Sequence, residues 1–184
     1  MKKTALLFAC LLFTLSCNQQ AIKNEQSYVY SISVGSSLIL NQKVSIGANL
    51  GRTFFQSGKI TPEKEINIYY PHCSITVNTI RAHEYTISPT SFEIIKVING
   101  EEYAQGYMLF ADNNLRLASD GPLISGLVSY YYLQSADEPD VRTLECIQWD
   151  SLYENNFLSI SEIRISLGSI FTLQLNDSEP GQSL

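Results

Sequence analysis

The feature that most constrains the fold is a series of short runs with β-strand character, separated by turn residues. Tyrosine, isoleucine, threonine and valine recur in these runs, and such side chains suit a pleated surface. Glycine, proline, asparagine and aspartate stand between the runs, as is typical of turns. We predict strands at residues 28–34, 37–40, 43–46, 53–55, 66–69, 73–77, 85–87, 92–98, 103–110, 124–133, 141–149 and 169–175.

The dipeptide Asn99-Gly100 is the strongest hairpin signal in the chain. It follows the predicted strand 92–98 and precedes the predicted strand 103–110. Asn-Gly favours the two-residue turn whose twist matches that of paired antiparallel strands. We therefore predict a hairpin centred on these two residues.

One segment near the C-terminus, residues 158–168, has helical rather than β periodicity. Apolar residues recur at spacings of three and four from Ile160 onward. Ser159 or Ser161 can cap the start of a helix, and Gly168 can close its end. We predict a two-turn helix that packs on the sheet just before a final strand.

Together these elements predict one mostly β domain at residues 27–176, followed by a frayed tail at 177–184. The expected architecture is an antiparallel β-sandwich or a partly open barrel with one short C-terminal helix. A lipocalin-like closed barrel is the main alternative, because strand spacing alone does not distinguish it from an open sheet.

The first residues, MKKTALLFACLLFTLSC, have the pattern of an export signal. Lys2 and Lys3 precede an apolar run from Ala5 to Leu15. This run is shorter than the roughly 20 residues that a membrane-spanning helix needs. We therefore predict that residues 1–16 are a signal peptide.

The end of this signal resembles the lipobox of bacterial lipoproteins, in which a cysteine becomes the lipidated first residue of the mature chain. Cys17 takes that position, with Leu15 one place later than in the family pattern; Cys10 would leave too short an apolar core. The resemblance implies a palmitate-type lipid anchor on Cys17. Asn18, where aspartate is associated with inner-membrane retention, favours the outer membrane. Secretion with ordinary cleavage is the alternative. We expect a polar, flexible tether at residues 17–26.

The charge of the mature chain excludes one large class of partners. The sequence has 12 basic and 18 acidic residues; without Lys2 and Lys3 the balance is 10 against 18, a formal charge of −8. Such an acidic domain has no electrostatic footprint for nucleic acid. We therefore expect no nucleic-acid partner.

Two cysteines, Cys73 and Cys146, belong to the mature domain apart from the predicted anchor. Exported domains usually pair such cysteines, so we predict a disulfide between them. A zinc site with His72 and His83, or a free thiol, is the alternative. Zinc ligands usually come in close pairs, and adjacent residues of a strand point to opposite faces. We place Cys73 inward and His72 at the surface or rim.

The sequence carries no recognisable catalytic motif. Gly-x-Ser-x-Gly, His-Glu-x-x-His and glycine-rich phosphate loops are all missing. We predict no catalytic residue, metal site or cofactor. The best binding signal is the run Tyr130, Tyr131 and Tyr132, because alternation puts Tyr130 and Tyr132 on one face of a strand and Tyr131 on the other. The alternative is that these rings have only a structural role and pack within the sheet.

The leader and the segments YYPHCSITV, SPTSFEIIKV, ECIQW and ISEIRISLGSIFTLQL resemble small uncharacterised lipoproteins of Gram-negative bacteria. This resemblance implies location and fold but carries no activity. We expect a non-enzymatic domain, anchored to the periplasmic side of the outer membrane, that binds or scaffolds an envelope protein or glycan. A barrel for a lipid or other small molecule is the alternative, and an envelope polysaccharide hydrolase comes third.

Overall fold

The structure, a computed structural model, describes residues 24–103, 124–151 and 155–176. The predicted signal peptide, the lipidation site Cys17 and the predicted tail lie outside these residues. Most of the strand predicted to begin at Tyr103 also lies outside them. These expectations therefore depend on the sequence alone.

The described residues form ten strands, one 3₁₀ helix and one α-helix. Their bounds are β1 Ser37–Leu40, β2 Val44–Ile46, β3 Arg52–Gln56, β4 Lys59–Thr61, the 3₁₀ helix Glu63–Glu65, β5 His72–Val77, β6 Tyr85–Ile87, β7 Ser91–Tyr103, β8 Ile124–Gln134, β9 Val141–Ser151, α1 Ile160–Leu167 and β10 Phe171–Gln174.

Eight of these strands form one antiparallel sheet in the order β10-β1-β7-β8-β9-β5-β3-β4, and β2 pairs with β6 in a second, small sheet. The large sheet curls into an open half-barrel. Because β10 and β4 lie at its opposite ends, the described strands do not close it. The mostly β fold with one short C-terminal helix is confirmed, and the closed-barrel alternative is wrong for this part of the chain.

One face of the large sheet, which we call the core face, packs against α1 and the small sheet. Apolar side chains from every one of these layers fill the space between them, so the core face contributes most of the hydrophobic stabilisation. The fully buried members with the largest side chains include Phe55, Phe92, Leu38, Leu40, Ile46, Ile75, Ile87, Ile94, Leu144, Ile160 and Ile163.

The two cysteines of the domain lie on the core face. Cys73 of β5 and Cys146 of β9 are register partners, and their sulfur atoms form a disulfide. Both side chains are fully buried. The predicted disulfide is confirmed, and the zinc and free-thiol alternatives are wrong because both sulfur atoms are bonded to each other.

Residues 28–34, predicted as a strand, form turns and irregular structure instead. The amide of Tyr30 donates to the carbonyl of Ser27, and the amide of Ser36 donates to that of Ser33. These local bonds satisfy backbone groups that a strand would offer to a neighbour. Ile32 is nevertheless buried in the core, which explains the apolar character of this segment.

Residues 66–69, also predicted as a strand, form a turn that leads into β5. The amide of Tyr69 donates to the side-chain oxygen of Asn67, and the amide of Tyr70 donates to its carbonyl. An asparagine that bonds its own following backbone favours a turn over an extended strand. The β-type composition of this stretch was therefore misleading.

The predicted hairpin at Asn99-Gly100 is wrong. Strand β7 continues through both residues, with Asn99 opposite Ser129 and Gly100 opposite Val128 on β8. Neither residue has the positive φ that a tight Asn-Gly turn requires. Pairing along the full length of β8 outweighs the local preference of the dipeptide.

Helix α1 begins and ends as the sequence predicts. The Ser159 side chain accepts from the amide of Glu162, and the Glu162 carboxylate accepts from the amide of Ser159, which completes a capping box. Gly168 ends the helix with a φ of 56° and lies against the backbone of Gly58 in the β3–β4 turn. Among the described residues, no helix is long and apolar enough to cross a bilayer.

Candidate functional site

The face of the large sheet opposite the core, which we call the polar face, carries charged and aromatic side chains capable of recognition chemistry. Its side chains alternate with those of the core face along each strand. In the register, Phe54 of β3 lies beside Ser74 of β5, and Ser74 lies beside Glu145 of β9. Glu145 in turn lies beside Tyr130 of β8. One row of side chains therefore crosses four neighbouring strands.

A groove of about 230 Å³ lies on the polar face. Its most buried lining residues are Val128, Ser74 and His72, which are 2%, 4% and 5% exposed and form its base. The partly exposed side chains above this base are apolar, aromatic or charged. They are Arg52, Phe54, Glu63, Glu102, Glu145, Ile147 and Trp149.

His72 lies at the base of this groove, so its predicted position at the surface or rim is wrong. Both neighbouring strands cover it, since its register partners are Gln56 of β3 and Ile147 of β9. The Gln56 side-chain amide also bonds the backbone N–H and C=O of Asn67, which holds the preceding turn in place. Sequence alternation correctly put His72 opposite Cys73 but did not show that both faces of β5 are covered.

The imidazole of His72 is oriented by one hydrogen bond. Its Nδ1 lies 2.9 Å from the carbonyl oxygen of Tyr70. A carbonyl can only accept, so Nδ1 carries the proton in the neutral ring and Nε2 is an acceptor. Burial lowers the pKa of His72 below 6.5, and the bond to Tyr70 opposes this only in part. The ring is therefore uncharged at neutral pH.

Arg52 and Glu145 form an ion pair at the groove. The Arg52 Nη1 atom lies 3.1 Å from Glu145 Oε2, and the Thr143 hydroxyl donates to Glu145 Oε1 at 3.3 Å. The Thr143 hydroxyl also bonds that of Thr76 across the strands. These contacts fix the position of the Glu145 carboxylate, and they engage the Arg52 guanidinium in an ion pair.

Tyr130 lies beside the groove and bonds one of its carboxylates. Its hydroxyl donates to Glu102 Oε1 at 2.9 Å. Burial, followed by the hydrogen bond and charge of Glu102, raises the pKa of Tyr130 to about 12. Tyr130 therefore stays protonated at neutral pH and acts as a hydrogen-bond donor, whereas a phenolate nucleophile would need a lowered pKa.

The tyrosine run divides between the two faces as alternation predicts. Tyr131 is 2% exposed and belongs to the core, where burial raises its pKa to about 12. Tyr130 and Tyr132 lie half-buried on the polar face, where the Lys96 ammonium is 5.3 Å from the Tyr132 ring centre. Tyr131 therefore cannot contribute to a surface that binds a ligand.

The sequence predictions missed most groove residues. Glu102 fell between the predicted strands 92–98 and 103–110, but it lies on β7 and accepts from Tyr130. Glu145, Ile147 and Trp149 alternate with Cys146 along β9, and this spacing is a signal that they share the face opposite the disulfide. Which distant strands lie beside them was not readable from local pattern.

Within the described part of the chain, no three histidine, cysteine or acidic side chains converge as a set that could hold a metal ion. No protein-family model matches the sequence, and neither a curated protein nor a solved structure matches it. The groove chemistry is therefore the basis for the functional argument that follows.

Proposed function

We propose that this chain is a lipid-anchored envelope domain that binds a glycan in the groove of the polar face. The observation that carries the proposal is the composition of that groove. Aromatic and apolar side chains, among them Trp149 and Phe54, lie beside carboxylates and an arginine. Sugar rings present apolar faces that stack on aromatic rings and hydroxyls that bond charged groups.

The roles of the two best-placed carboxylates favour binding over hydrolysis. Glycoside hydrolases use one carboxyl group as a proton donor and a second as a base or nucleophile. Here Glu145 is paired with Arg52, and Glu102 accepts from a protonated tyrosine. Contacts that stabilise both groups as anions suit hydroxyl recognition.

The filled core face argues against the alternative of a lipid-binding barrel. Such a barrel holds its ligand in an interior cavity lined by apolar residues. The corresponding space in this domain is occupied by α1, the small sheet and their buried side chains. The polar-face groove is the better candidate for a ligand site.

Export and anchoring are supported by the leader and by the cysteine pair. The first 17 residues resemble a lipoprotein signal that ends at Cys17. Disulfides persist in oxidising compartments such as the periplasm. Asn18 favours the outer membrane, so we infer a domain on its periplasmic side.

The position of Glu25 is compatible with an anchor on one side of the domain and the groove on the other. Glu25 bonds Arg164 of α1, and α1 packs against the core face of β3 and β5. The groove lies on the reverse face of the same two strands. Glu25 therefore lies on the side of the domain opposite the groove, where an anchor would leave the groove exposed.

Trp149 provides a direct test of glycan binding because it is the only tryptophan in the chain and it lines the groove. Titration with hexamers of N-acetylglucosamine, glucose linked β-1,4, and glucose linked α-1,4 should give saturable changes in its fluorescence with at least one of them. Arg52→Ala should weaken that binding, whereas Arg142→Ala, at an exposed arginine outside the groove, should not. A lack of saturable response to all three glycans and to a glucosamine hexamer would overturn the proposal.

A separate experiment tests the anchor. Cys17→Ser should abolish incorporation of labelled palmitate and release the protein from the membrane fraction, whereas Cys10→Ser should do neither. Asn18→Asp should move the protein from the outer to the inner membrane on a density gradient. Full membrane retention of Cys17→Ser would remove the lipid anchor from the proposal without affecting the groove.

A further inference from the structure

The base of the groove contains hydrogen-bonding groups that have no partner among the residues the structure describes. His72 is only 5% exposed, its Nδ1 bonds Tyr70, and no described residue bonds its Nε2. Ser74, two residues along the same face of β5, is 4% exposed, and its hydroxyl has no hydrogen bond among the described residues. Every fully enclosed polar side-chain atom of the described residues has a hydrogen-bond partner. These two unbonded atoms are therefore not fully enclosed, and they are accessible from the groove.

The groups around them are mainly acceptors with negative charge. Three carboxylates line the groove, those of Glu63, Glu102 and Glu145, against the single guanidinium of Arg52. Glu145 is paired with Arg52, and Glu102 accepts from Tyr130. Glu63 makes no ion pair within the described part of the chain, so its carboxylate is available to a ligand.

A primary ammonium group matches this arrangement better than a neutral hydroxyl. It carries three donors, no acceptor and one positive charge. The His72 Nε2 lone pair and the Ser74 oxygen can accept from it, and the Glu63 carboxylate can balance its charge. A buried polar group left unbonded carries a desolvation cost, so an occupant that donates to such groups gains from filling the site.

We propose that His72, Ser74 and Glu63 form a subsite for a primary ammonium group, and that the ligand is a glycan with free amino groups. This inference depends on the proposed function and names its substrate class. Trp149 and Phe54 line the same groove and supply surfaces for the sugar rings, which favours an amino sugar over a simple polyamine. The low pKa of His72 keeps its ring neutral, so it does not repel the ammonium.

The test compares a glucosamine hexamer with its fully N-acetylated counterpart by Trp149 fluorescence near neutral pH. The two ligands have the same length and linkage, but acetylation removes the charge and two of the donors from each nitrogen. We expect the free amine to bind at least about tenfold more tightly, which corresponds to about 1.4 kcal/mol. Equal affinity would overturn the ammonium subsite while leaving glycan binding intact, and no binding of either hexamer would overturn both.

Variants locate the preference within the groove. Glu63→Gln should abolish the advantage of the amine without weakening the acetylated hexamer. Glu65→Gln, two residues away in the same 3₁₀ helix and outside the groove lining, is the matched control and should preserve that advantage. Ser74→Ala, a conservative change within a strand, should reduce the advantage in part. The same advantage in Glu63→Gln as in the unmodified protein would overturn the assignment of the counter-ion.

A lysine tripeptide distinguishes an amino sugar from a protein ligand, because its side chains present the same ammonium chemistry. We expect it to bind more weakly than the glucosamine hexamer and to compete with it for the groove. Tighter binding of the peptide, lost in Glu63→Gln, would overturn the glycan assignment in favour of a basic peptide.

Discussion

Cys73 and Cys146 lie directly opposite each other on β5 and β9, with their Cα atoms 4.1 Å apart, and are 73 residues apart in the chain. A crosslink over such a loop restricts the unfolded chain, and the expected stabilisation is roughly 4 kcal/mol. We predict that the double variant Cys73→Ala/Cys146→Ala loses about this much unfolding free energy in urea denaturation.

Reduction of the unmodified protein gives the matched comparison. Its urea midpoint in the presence of reductant should fall close to that of the double alanine variant without reductant. A loss below about 1 kcal/mol in both cases would contradict the prediction. It would mean that residual contacts between these segments already restrict the unfolded chain without the disulfide.

Gly168 should tolerate no side chain. Its φ of 56° is unfavourable for other residues, and a methyl group there would overlap the backbone of Gly58. We predict that Gly168→Ala lowers the unfolding free energy by roughly 2 kcal/mol or more, measured by urea denaturation.

Gly100→Ala is the control for this variant. A methyl group at Gly100 would lie 3.5 Å from both the Tyr130 ring and the Val128 side chain, which is ordinary contact, and its backbone is extended. The change should alter stability by less than about 1 kcal/mol. Similar losses in the two variants would show that the contact between Gly168 and Gly58 has no special role.

Local chemistry made much of this fold predictable. Residues 158–168 combine helical spacing with Ser159 at one end and Gly168 at the other, and each of these signals acts over a few residues. Most of the strands were likewise found from alternation and turn residues, but β4 was missed, and the strands predicted at 28–34 and 66–69 do not form. Asn99-Gly100 failed because its turn preference competes with pairing to β8, and the sequence does not state which segments pair at a distance.

The groove was less predictable than the fold for the same reason. Alternation shows that Ser74 shares a face with His72, and that Glu145 shares one with Trp149. Only the antiparallel register of β5 with β9 brings these two sets together. The burial of His72 further depends on β3 and on the turn held by Gln56, which are nonlocal contacts.

His72 should make stability depend on pH. Burial lowers its pKa in the folded protein, so below about pH 6.5 the unfolded chain binds more protons at this residue than the folded chain does. Stability therefore falls as the pH decreases through that value towards the lower, folded-state pKa. We predict that His72→Gln loses less unfolding free energy than the unmodified protein between about pH 7.5 and pH 5.5, measured by urea denaturation at each pH.

His83→Gln, at the exposed second histidine, controls for the loss of an imidazole. Carboxylates also titrate at the lower end of this range, but they contribute in both variants. The prediction concerns the change of unfolding free energy with pH, which should be smaller in His72→Gln than in His83→Gln. An identical pH dependence of the two variants would contradict it.

Glu25 holds the start of the described chain on α1 through a two-pronged ion pair. Its Oε2 and Oε1 atoms lie 2.8 Å and 3.0 Å from Nε and Nη2 of Arg164, and its carbonyl accepts from the amide of Ser161. Because both charged side chains are more than a third exposed, the pair should contribute less than about 1 kcal/mol to overall stability.

We predict that Glu25→Gln leaves the urea midpoint nearly unchanged but accelerates hydrogen exchange at the Ser161 amide. That amide belongs to the first turn of α1, so its partner lies outside the helix. Glu93→Gln, at an exposed glutamate on β7, is the control and should leave this exchange rate unchanged. Unaltered protection of Ser161 in Glu25→Gln would mean that the backbone contact holds the segment without the ion pair.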